Sequence, residues 1–169
     1  MKIIKLGLIS VVVLFIIATL IGLLLPSTVT VSKAIDIQQS PDSVMGYLSD
    51  LKRWPEWIEG VKSNGFAVTT TATTGVGAKA TVNKNIITIT SVQKDKVLTL
   101  WEGSNGFNQD AVMEVYTNET RSMTTMHWSF TQKIGWYPWQ RLGSFMNEKI
   151  LGPVMEMSLS NLKKVVEQQ

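Results

Sequence analysis

Residues 109–132, QDAVMEVYTNETRSMTTMHWSFTQ, contain two runs in which apolar and polar side chains alternate. The apolar positions of the two runs are Ala111, Met113, Val115, Met126, Trp128 and Phe130. Successive side chains of a β-strand point to opposite faces, so this pattern predicts two strands that share one buried face. Only a short polar segment around Asn118-Glu119-Thr120 separates the runs, which predicts an antiparallel hairpin.

Five further runs before this hairpin are also typical of strands. They cover residues 29–37, 66–74, 78–82, 86–92 and 97–102 and are rich in Val, Ile and Thr. The spacers between the later runs are short and polar, such as residues 83–85 and 94–96. Connections of this length join antiparallel neighbours, so the sequence predicts a six-strand meander from residue 66 onward, within an antiparallel sheet of about seven strands.

Helices are predicted on either side of this meander. Ser40 can cap the free amides of a helix over residues 41–51, Pro41 suits the first helical position, and Asp42 complements the helix dipole. Pro55 interrupts that helix, so a second short helix is expected around Trp57.

The C-terminal segment has a helical period instead. Its apolar positions are Leu142, Phe145, Met146, Ile150, Leu151, Val154, Met155, Leu159, Leu162, Val165 and Val166. This stripe predicts a long amphipathic helix, kinked near Gly152-Pro153, that packs on the concave face of the sheet.

Near the N-terminus, residues 6–25 read LGLISVVVLFIIATLIGLLL and contain only two polar side chains. As a helix this stretch is about 30 Å long, which matches the hydrocarbon core of a bilayer. A secretory signal peptide is the alternative, but its apolar region is shorter, roughly 7–15 residues, and precedes a small-residue cleavage site. We therefore predict an uncleaved membrane anchor.

The flanking charges suggest an orientation for this anchor. Lys2 and Lys5 precede the span, whereas the twenty residues after it contain Lys33 and Asp36. Lysine is enriched on the cytoplasmic side of membrane helices, so a cytoplasmic N-terminus and an extracytoplasmic domain are expected. The predicted organisation is a tail and anchor over residues 1–25, a hinge over 26–28 and one α+β domain over 29–169.

Composition limits the classes of function. The chain of 169 residues has no cysteine, which excludes disulfides and thiolate metal sites, and one histidine. Outside Lys2 and Lys5 there are 14 basic against 13 acidic side chains, so nothing resembles a nucleic-acid-binding face. All six tryptophans follow residue 25, so we expect them to pack in the domain or to contact a ligand.

Several short motifs accompany this order of elements. They are Ser40-Pro41-Asp42-Ser43-Val44, Ser49-Asp50, Trp54-Pro55-Glu56-Trp57, Gly75-Val76-Gly77-Ala78-Lys79, Ile87-Thr88-Ile89, His127-Trp128-Ser129 and Leu159-Ser160-Asn161-Leu162-Lys163. Motifs and order together resemble the START-like, or SRPBCC (helix-grip), superfamily, which includes the polyketide cyclase/dehydrase-like proteins. The anchor is similar to that of a membrane-tethered subset. The resemblance implies a curved sheet that grips the last helix around an apolar cavity, but it implies no particular substrate.

Residues suited to catalysis are few. His127 is expected on the outer face of the sheet, because it alternates with the inward-facing Met126 and Trp128. Glu102, Arg121, Tyr47 and Tyr116 are the other polar candidates, and they are expected at the surface or the cavity rim. Gly75 and Gly77 lack the rest of a phosphate-binding loop and predict a turn. The sequon at Asn118-Glu119-Thr120 lies in a tight turn and is interpreted as coincidental.

We therefore predict no catalytic residue, metal or cofactor. The predicted cavity residues are Ala111, Met113, Val115, Met126, Trp128, Phe130, Met146 and Ile150. A lid or cavity mouth is predicted at Trp136, Tyr137 and Trp139, with membrane contact or simple helix packing as alternatives.

Three functions follow from this set of expectations. The first is a membrane-tethered domain that binds a hydrophobic small molecule or lipid. The second is a cyclase-like or hydrolase-like enzyme that uses a cavity acid or His127. The third is a non-catalytic interaction or stress module in which the Met and Trp side chains are only core.

Overall fold

The computed structural model describes residues 2–104, 106, 108–118, 123–143 and 146–168. The helices in chain order are α1 (Lys2–Leu24), α2 (Pro41–Leu48), α3 (Trp54–Trp57), α4 (Pro138–Gly143) and α5 (Asn147–Glu167). The strands are β1 (Thr28–Ile37), β2 (Ala67–Val68), β3 (Lys79–Val82), β4 (Asn85–Val92), β5 (Lys96–Glu102), β6 (Asn108–Thr117) and β7 (Thr124–Lys133).

The strands form one antiparallel sheet in the order β1-β7-β6-β5-β4-β3-β2. The predicted hairpin of β6 and β7 is present, with Met113 opposite Trp128 and Ala111 opposite Phe130. The first strand, β1, pairs with β7 at one edge of the sheet. With α5 on the concave face, this architecture confirms the predicted α+β helix-grip fold.

The core lies between the concave face and α5. The side chains that α5 buries include Met155, Leu159 and Leu162. They are spaced four and three residues apart and therefore lie on one side of the helix. Trp54 and Trp57 of α3 are completely buried beside them, and the Trp54 indole donates a hydrogen bond to the Leu48 carbonyl over 3.1 Å.

Lys33 of β1 fastens α5 to the edge of the sheet. Its Nζ lies 2.9 Å from Glu148 Oε1 and 2.8 Å from Glu156 Oε1. The carboxylates of Glu156 and then Glu148 raise the pKa of Lys33. A Cβ added at Gly152 would lie 3.4 Å from Lys33 Cε, so the glycine leaves room for the lysine stem. These ion pairs are partly exposed and contribute less than the apolar burial beneath α5.

Three element boundaries differ from the prediction. Helix α2 ends at Leu48 rather than near residue 51. Residues 66–74 were expected to form a strand, but only Ala67–Val68 pairs with β3. Beyond it, side-chain oxygens replace strand pairing, because the Lys79 amide donates to Thr70 Oγ1 over 2.9 Å. The long C-terminal helix begins at Asn147 rather than near residue 142, and α4 precedes it as a separate helix.

Among the described residues, one helix is long and apolar enough to cross a membrane, over Ile3–Leu24. Its large apolar side chains are mostly exposed in the structure. Three residues, 25–27, join α1 to β1, and α1 packs against α4.

Glu114 is the centre of a polar cluster on the outer face of the sheet. Its carboxylate forms an ion pair with Lys96 and accepts a hydrogen bond from the Tyr116 hydroxyl over 2.7 Å. His127 Nδ1 lies 3.9 Å from Glu114 Oε2, on the outer face as predicted. The Lys96 ammonium, followed by the Tyr116 hydroxyl, lowers the pKa of Glu114 below its ordinary value.

Truncation of the buried face of α5 is expected to destabilise the fold. Leu159→Ala removes a fully buried side chain and leaves a cavity, so the free energy of unfolding should fall by about 2–5 kcal/mol. Met157→Ala is the control, because Met157 is 49% exposed on the same helix, and it should change that energy by only about 0.5 kcal/mol. Urea unfolding of the full chain in detergent, followed by tryptophan fluorescence, measures both. Equal losses would contradict this description of the core.

The cluster around Glu114 predicts a pH dependence of stability. Because the folded-state pKa of Glu114 is lowered, its contribution is present above its unfolded-state pKa and is lost as the pH falls through the folded-state pKa. Lys96→Met should raise the Glu114 pKa toward its ordinary value, whereas Lys94→Met, in the same hairpin, should leave it unchanged. Carboxyl-carbon NMR titration of the folded chain measures this pKa. An unaltered Glu114 pKa in Lys96→Met would refute the assignment.

Candidate functional site

A pocket of about 230 Å³ lies on the concave face, between α5, the segment after α3 and one end of the sheet. The residues that line it are Ile58, Glu59, Gly60, Val61, Asn64, Val82, Asn85, Trp101, Gln109, Trp128, Phe130, Leu151, Val154 and Met155. These come from five strands, β3 to β7, from the segment after α3 and from α5, so the pocket exists only once the helix has docked on the sheet.

The floor of the pocket is aromatic and buried. The rings of Trp128 and Phe130 lie 5.1 Å apart between centroids, and Phe130 meets Trp101 edge-on at 5.3 Å. Trp57 packs edge-on against Trp128 from below, at 5.5 Å. Met155 covers these rings from α5. Such a floor offers apolar surface and ring faces to a ligand.

The rim of the pocket is polar and mostly uncharged. It carries the amides Asn64, Asn85 and Gln109 together with the exposed Glu59. Gln109 donates from Nε2 to Gln132 Oε1 over 3.3 Å, and this orients its amide. Among the described lining residues, Glu59 is the one with a titratable side chain. An apolar floor under a polar rim fits a ligand with an apolar body and a polar end.

Glu59 is held in place by α5. Its backbone amide donates to Ser158 Oγ over 2.8 Å, and its carboxylate accepts from Asn161 Nδ2 over 3.2 Å. Ser158 in turn donates to the Val154 carbonyl over 2.7 Å. The buried serine therefore fixes the loop that forms one wall of the pocket.

Two buried indole nitrogens lie at or next to the floor, one on Trp128 and one on Trp57, which packs against it. Within the described part of the chain, Nε1 of Trp57 and Nε1 of Trp128 have no hydrogen-bond partner. A buried donor without an acceptor is costly, and each such group calls for an explanation. Trp128 also lines the pocket, so an oxygen of a bound molecule is one partner that its N–H could find there.

The structure divides the predicted cavity residues into two groups. Trp128 and Phe130 line the pocket. The others on the two strands are buried but are not among the residues that line it. They are Ala111, Met113, Val115 and Met126.

The remaining predicted positions lie outside the pocket. Met146 is 49% and Ile150 62% exposed, because the buried face of α5 runs through Met155 and Leu159 and turns these residues away from the sheet. Trp136, Tyr137 and Trp139 are not among the residues that line the pocket either. They lie next to α1, where the Trp139 ring is 6.5 Å from that of Phe15.

The polar candidates are also outside the pocket. His127 lies on the opposite face of the sheet and Glu102 at the end of β5. Tyr47 is buried in the core, where its hydroxyl donates to the Val165 carbonyl over 3.3 Å. Tyr116 belongs to the outer cluster. Arg121, like Glu119 and Thr120 of the sequon, lies outside the described residues.

Sequence reasoning missed most of the pocket wall. Ile58, Glu59, Val61 and Asn64 lie in irregular chain after α3, and such segments carry no hydrophobic period. The polar Asn85 and Gln109 stand at strand ends, where alternation no longer predicts burial. The one available signal was the density of aromatic residues around Trp54-Pro55-Glu56-Trp57.

Comparison of the fold with solved structures places it among START-like proteins. A protein from Nitrosospira multiformis superposes with a TM-score of 0.65 at 12% identity, covering 80% of this chain and 94% of that one. A START superfamily protein from Mycobacterium smegmatis gives 0.62 at 16% identity, with 82% and 97% covered. At such identities the similarity shows the fold alone. Among curated proteins, none matches the sequence significantly.

The sequence also matches a family profile. Residues 28–167 match the family described as polyketide cyclase / dehydrase and lipid transport. The matched segment runs from the start of β1 to the end of α5 and covers most of the chain. This fold and family support a domain that binds hydrophobic ligands. The chain therefore belongs to the polyketide cyclase/dehydrase and lipid transport family and has the START-like fold.

Proposed function

We propose that α1 anchors this protein in a membrane and that its START-like domain binds a hydrophobic small molecule or lipid in the pocket beneath α5. The observation that carries the proposal is the pocket itself, with its aromatic floor and amide rim. Family membership adds support, because the family description includes lipid transport. The length and apolarity of α1 support the anchor.

The dimensions of the pocket restrict the ligand. Small-molecule sites usually measure roughly 300–1,000 Å³, and this one is about 230 Å³. A whole phospholipid exceeds it, so the proposed occupant is a small amphipathic molecule or one end of a longer lipid. Its apolar part would cover Trp128 and Phe130, and burial of that surface would drive binding. Its polar end would lie among Asn64, Asn85 and Gln109.

The orientation of the anchor is part of the proposal. Lys2 and Lys5 lie at the N-terminal end of α1, before its long apolar run, and this favours a cytoplasmic N-terminus. The domain would then begin at Thr28 just outside the membrane, because only three residues separate α1 from β1. A hydrophobic ligand dissolved in the same bilayer would be close to the pocket.

The enzyme alternative depends on a titratable group at the pocket. Neither His127 nor Glu102 lines it, so a cyclase-like or hydrolase-like reaction there would have to use Glu59. That carboxylate is exposed and accepts a hydrogen bond from Asn161. Glu59→Gln preserves the hydrogen-bonding shape and removes the acid. A turnover that survives this change would rule out Glu59 as the acid or base.

The first experiment is to identify what the protein carries. The full chain is extracted gently from its own membrane and examined by native mass spectrometry, and the bound material is then extracted and identified. A stoichiometric lipid or other apolar molecule is the expected result. A chain that is empty and also excludes apolar fluorescent probes would contradict the proposal and favour the interaction module.

Blocking the pocket is expected to abolish binding. Val154→Trp places a large side chain at the pocket mouth, where Val154 is already 38% exposed, so the change should be tolerated by the fold. Affinity for an apolar fluorescent probe should fall at least about tenfold, equivalent to about 1.4 kcal/mol. Met157→Trp is the matched control, because Met157 lies on the same helix but not at the pocket. Equal affinities of the two variants would locate the binding site elsewhere.

A further inference from the structure

Three aromatic side chains form an exposed stack at the start of α4, beside the C-terminal end of α1. Trp136 and Tyr137 stack with ring centroids 4.4 Å apart, and Tyr137 and Trp139 stack at 4.8 Å. We call Trp136, Tyr137 and Trp139 the aromatic ladder. Their exposed fractions are 52%, 39% and 59%, although soluble proteins seldom leave so much contiguous apolar surface uncovered.

Arg141 joins α4 to the end of α1. Its Nη1 donates to the Gly22 carbonyl over 3.1 Å and to the Leu25 carbonyl over 2.5 Å. The last carbonyls of a helix lack partners within the helix and carry its negative dipole end, so a guanidinium is well suited to them. Arg141 Nε also donates to the Gly135 carbonyl over 3.0 Å, which ties the same side chain to the segment before α4.

Close packing accompanies these hydrogen bonds. A Cβ added at Gly22 would lie 3.3 Å from the Cα of Pro138, so the two helices approach almost backbone to backbone. Further down α1, the ring of Trp139 lies 6.5 Å from that of Phe15. The ladder is therefore fixed to α1 and does not hang from a free loop.

The position of Phe15 sets the depth of this contact. Phe15 precedes Leu25 by ten residues, which is about 15 Å along a helix axis. Trp139 thus reaches from the end of α1 toward its middle. Because the apolar surface of the ladder is continuous with that of α1, the medium that surrounds this part of α1 also surrounds the ladder.

We propose that α4 and the aromatic ladder enter the bilayer beside the C-terminal half of α1, from the interfacial layer inward, and fix the orientation of the domain on it. This inference rests on the membrane anchor in the proposed function. Trp and Tyr are enriched at membrane interfaces, where an apolar ring with a polar edge is best accommodated. The partner of this surface is thus a lipid bilayer.

The sheet then places the pocket on the membrane side. Thr28, the first residue of β1, pairs with Lys133. The strand pairing places Gln109 of β6 and Asn85 of β4 at this same end of the sheet, and both residues line the pocket. An embedded ladder would therefore hold the pocket end of the domain toward the bilayer, from which a hydrophobic ligand would enter.

The test uses nitroxide labels on single cysteines, since the chain has no cysteine of its own. Trp139→Cys reports the ladder, Leu14→Cys reports α1, and Lys94→Cys reports the opposite end of the sheet. Each full-length variant is reconstituted in phosphatidylcholine vesicles, and the relative accessibility of the label to oxygen and to a water-soluble nickel complex is measured. We expect the label at residue 139 to have a relative oxygen accessibility closer to that of the label at residue 14 than to that of the label at residue 94.

The accessibilities of the labels distinguish a ladder in the bilayer from a ladder in water. If the label at residue 14 is accessible mainly to oxygen, as in lipid, and the label at residue 139 is accessible mainly to the nickel complex, as in water, this inference is overturned and the anchor stands. Water-like accessibility of both labels would overturn the anchor and this inference with it, while ligand binding is tested separately by Val154→Trp.

The role of Arg141 has its own test. In the Trp139→Cys background, Arg141→Ala should make the label more accessible to the nickel complex, whereas Lys133→Ala, which removes a nearby exposed charge, should not. An unchanged value in Arg141→Ala would refute the fixing role of Arg141.

Discussion

The burial of α5 against the concave face of the sheet is the interaction on which the rest of the structure depends. Met155, Leu159 and Leu162 form the buried side of the helix, and each is at most 1% exposed. Most of the helix's stability comes from this packing and not from intrinsic propensity. The ion pairs of Lys33 hold the helix to the edge strand, but they are partly exposed and secondary.

The position of the pocket follows from how the space under α5 is filled. At the end of the sheet that is farther from Thr28, α2 packs against β6 and β7. At the other end, large rings replace a second covering helix. The rings of Trp128, Phe130 and Trp101 meet edge to face or at a tilt, and α5 does not seal the gap above them. Partial covering by rigid aromatic side chains thus creates the cavity.

Helix α1 and the domain are connected by more than a covalent link. The short segment 25–27 leads directly into β1, and Arg141 closes the same junction with hydrogen bonds to the end of α1. A flexible tether would allow the domain to rotate freely about the end of α1, whereas a helix end capped by a side chain of the domain restricts that rotation. The junction and the pocket share one end of the sheet, so the end of α1 and the pocket lie on the same side of the domain.

Local patterns in the sequence were sufficient for the architecture. Alternation in residues 109–132 predicted β6 and β7, the capping signals at Ser40 and Pro41 predicted α2, and the C-terminal stripe predicted α5, because each pattern reflects the period of its own element. The pocket and the Arg141 junction could not be predicted in this way. Both depend on side chains that lie far apart in the chain, and only the docking of α5 and α4 determines which of them meet.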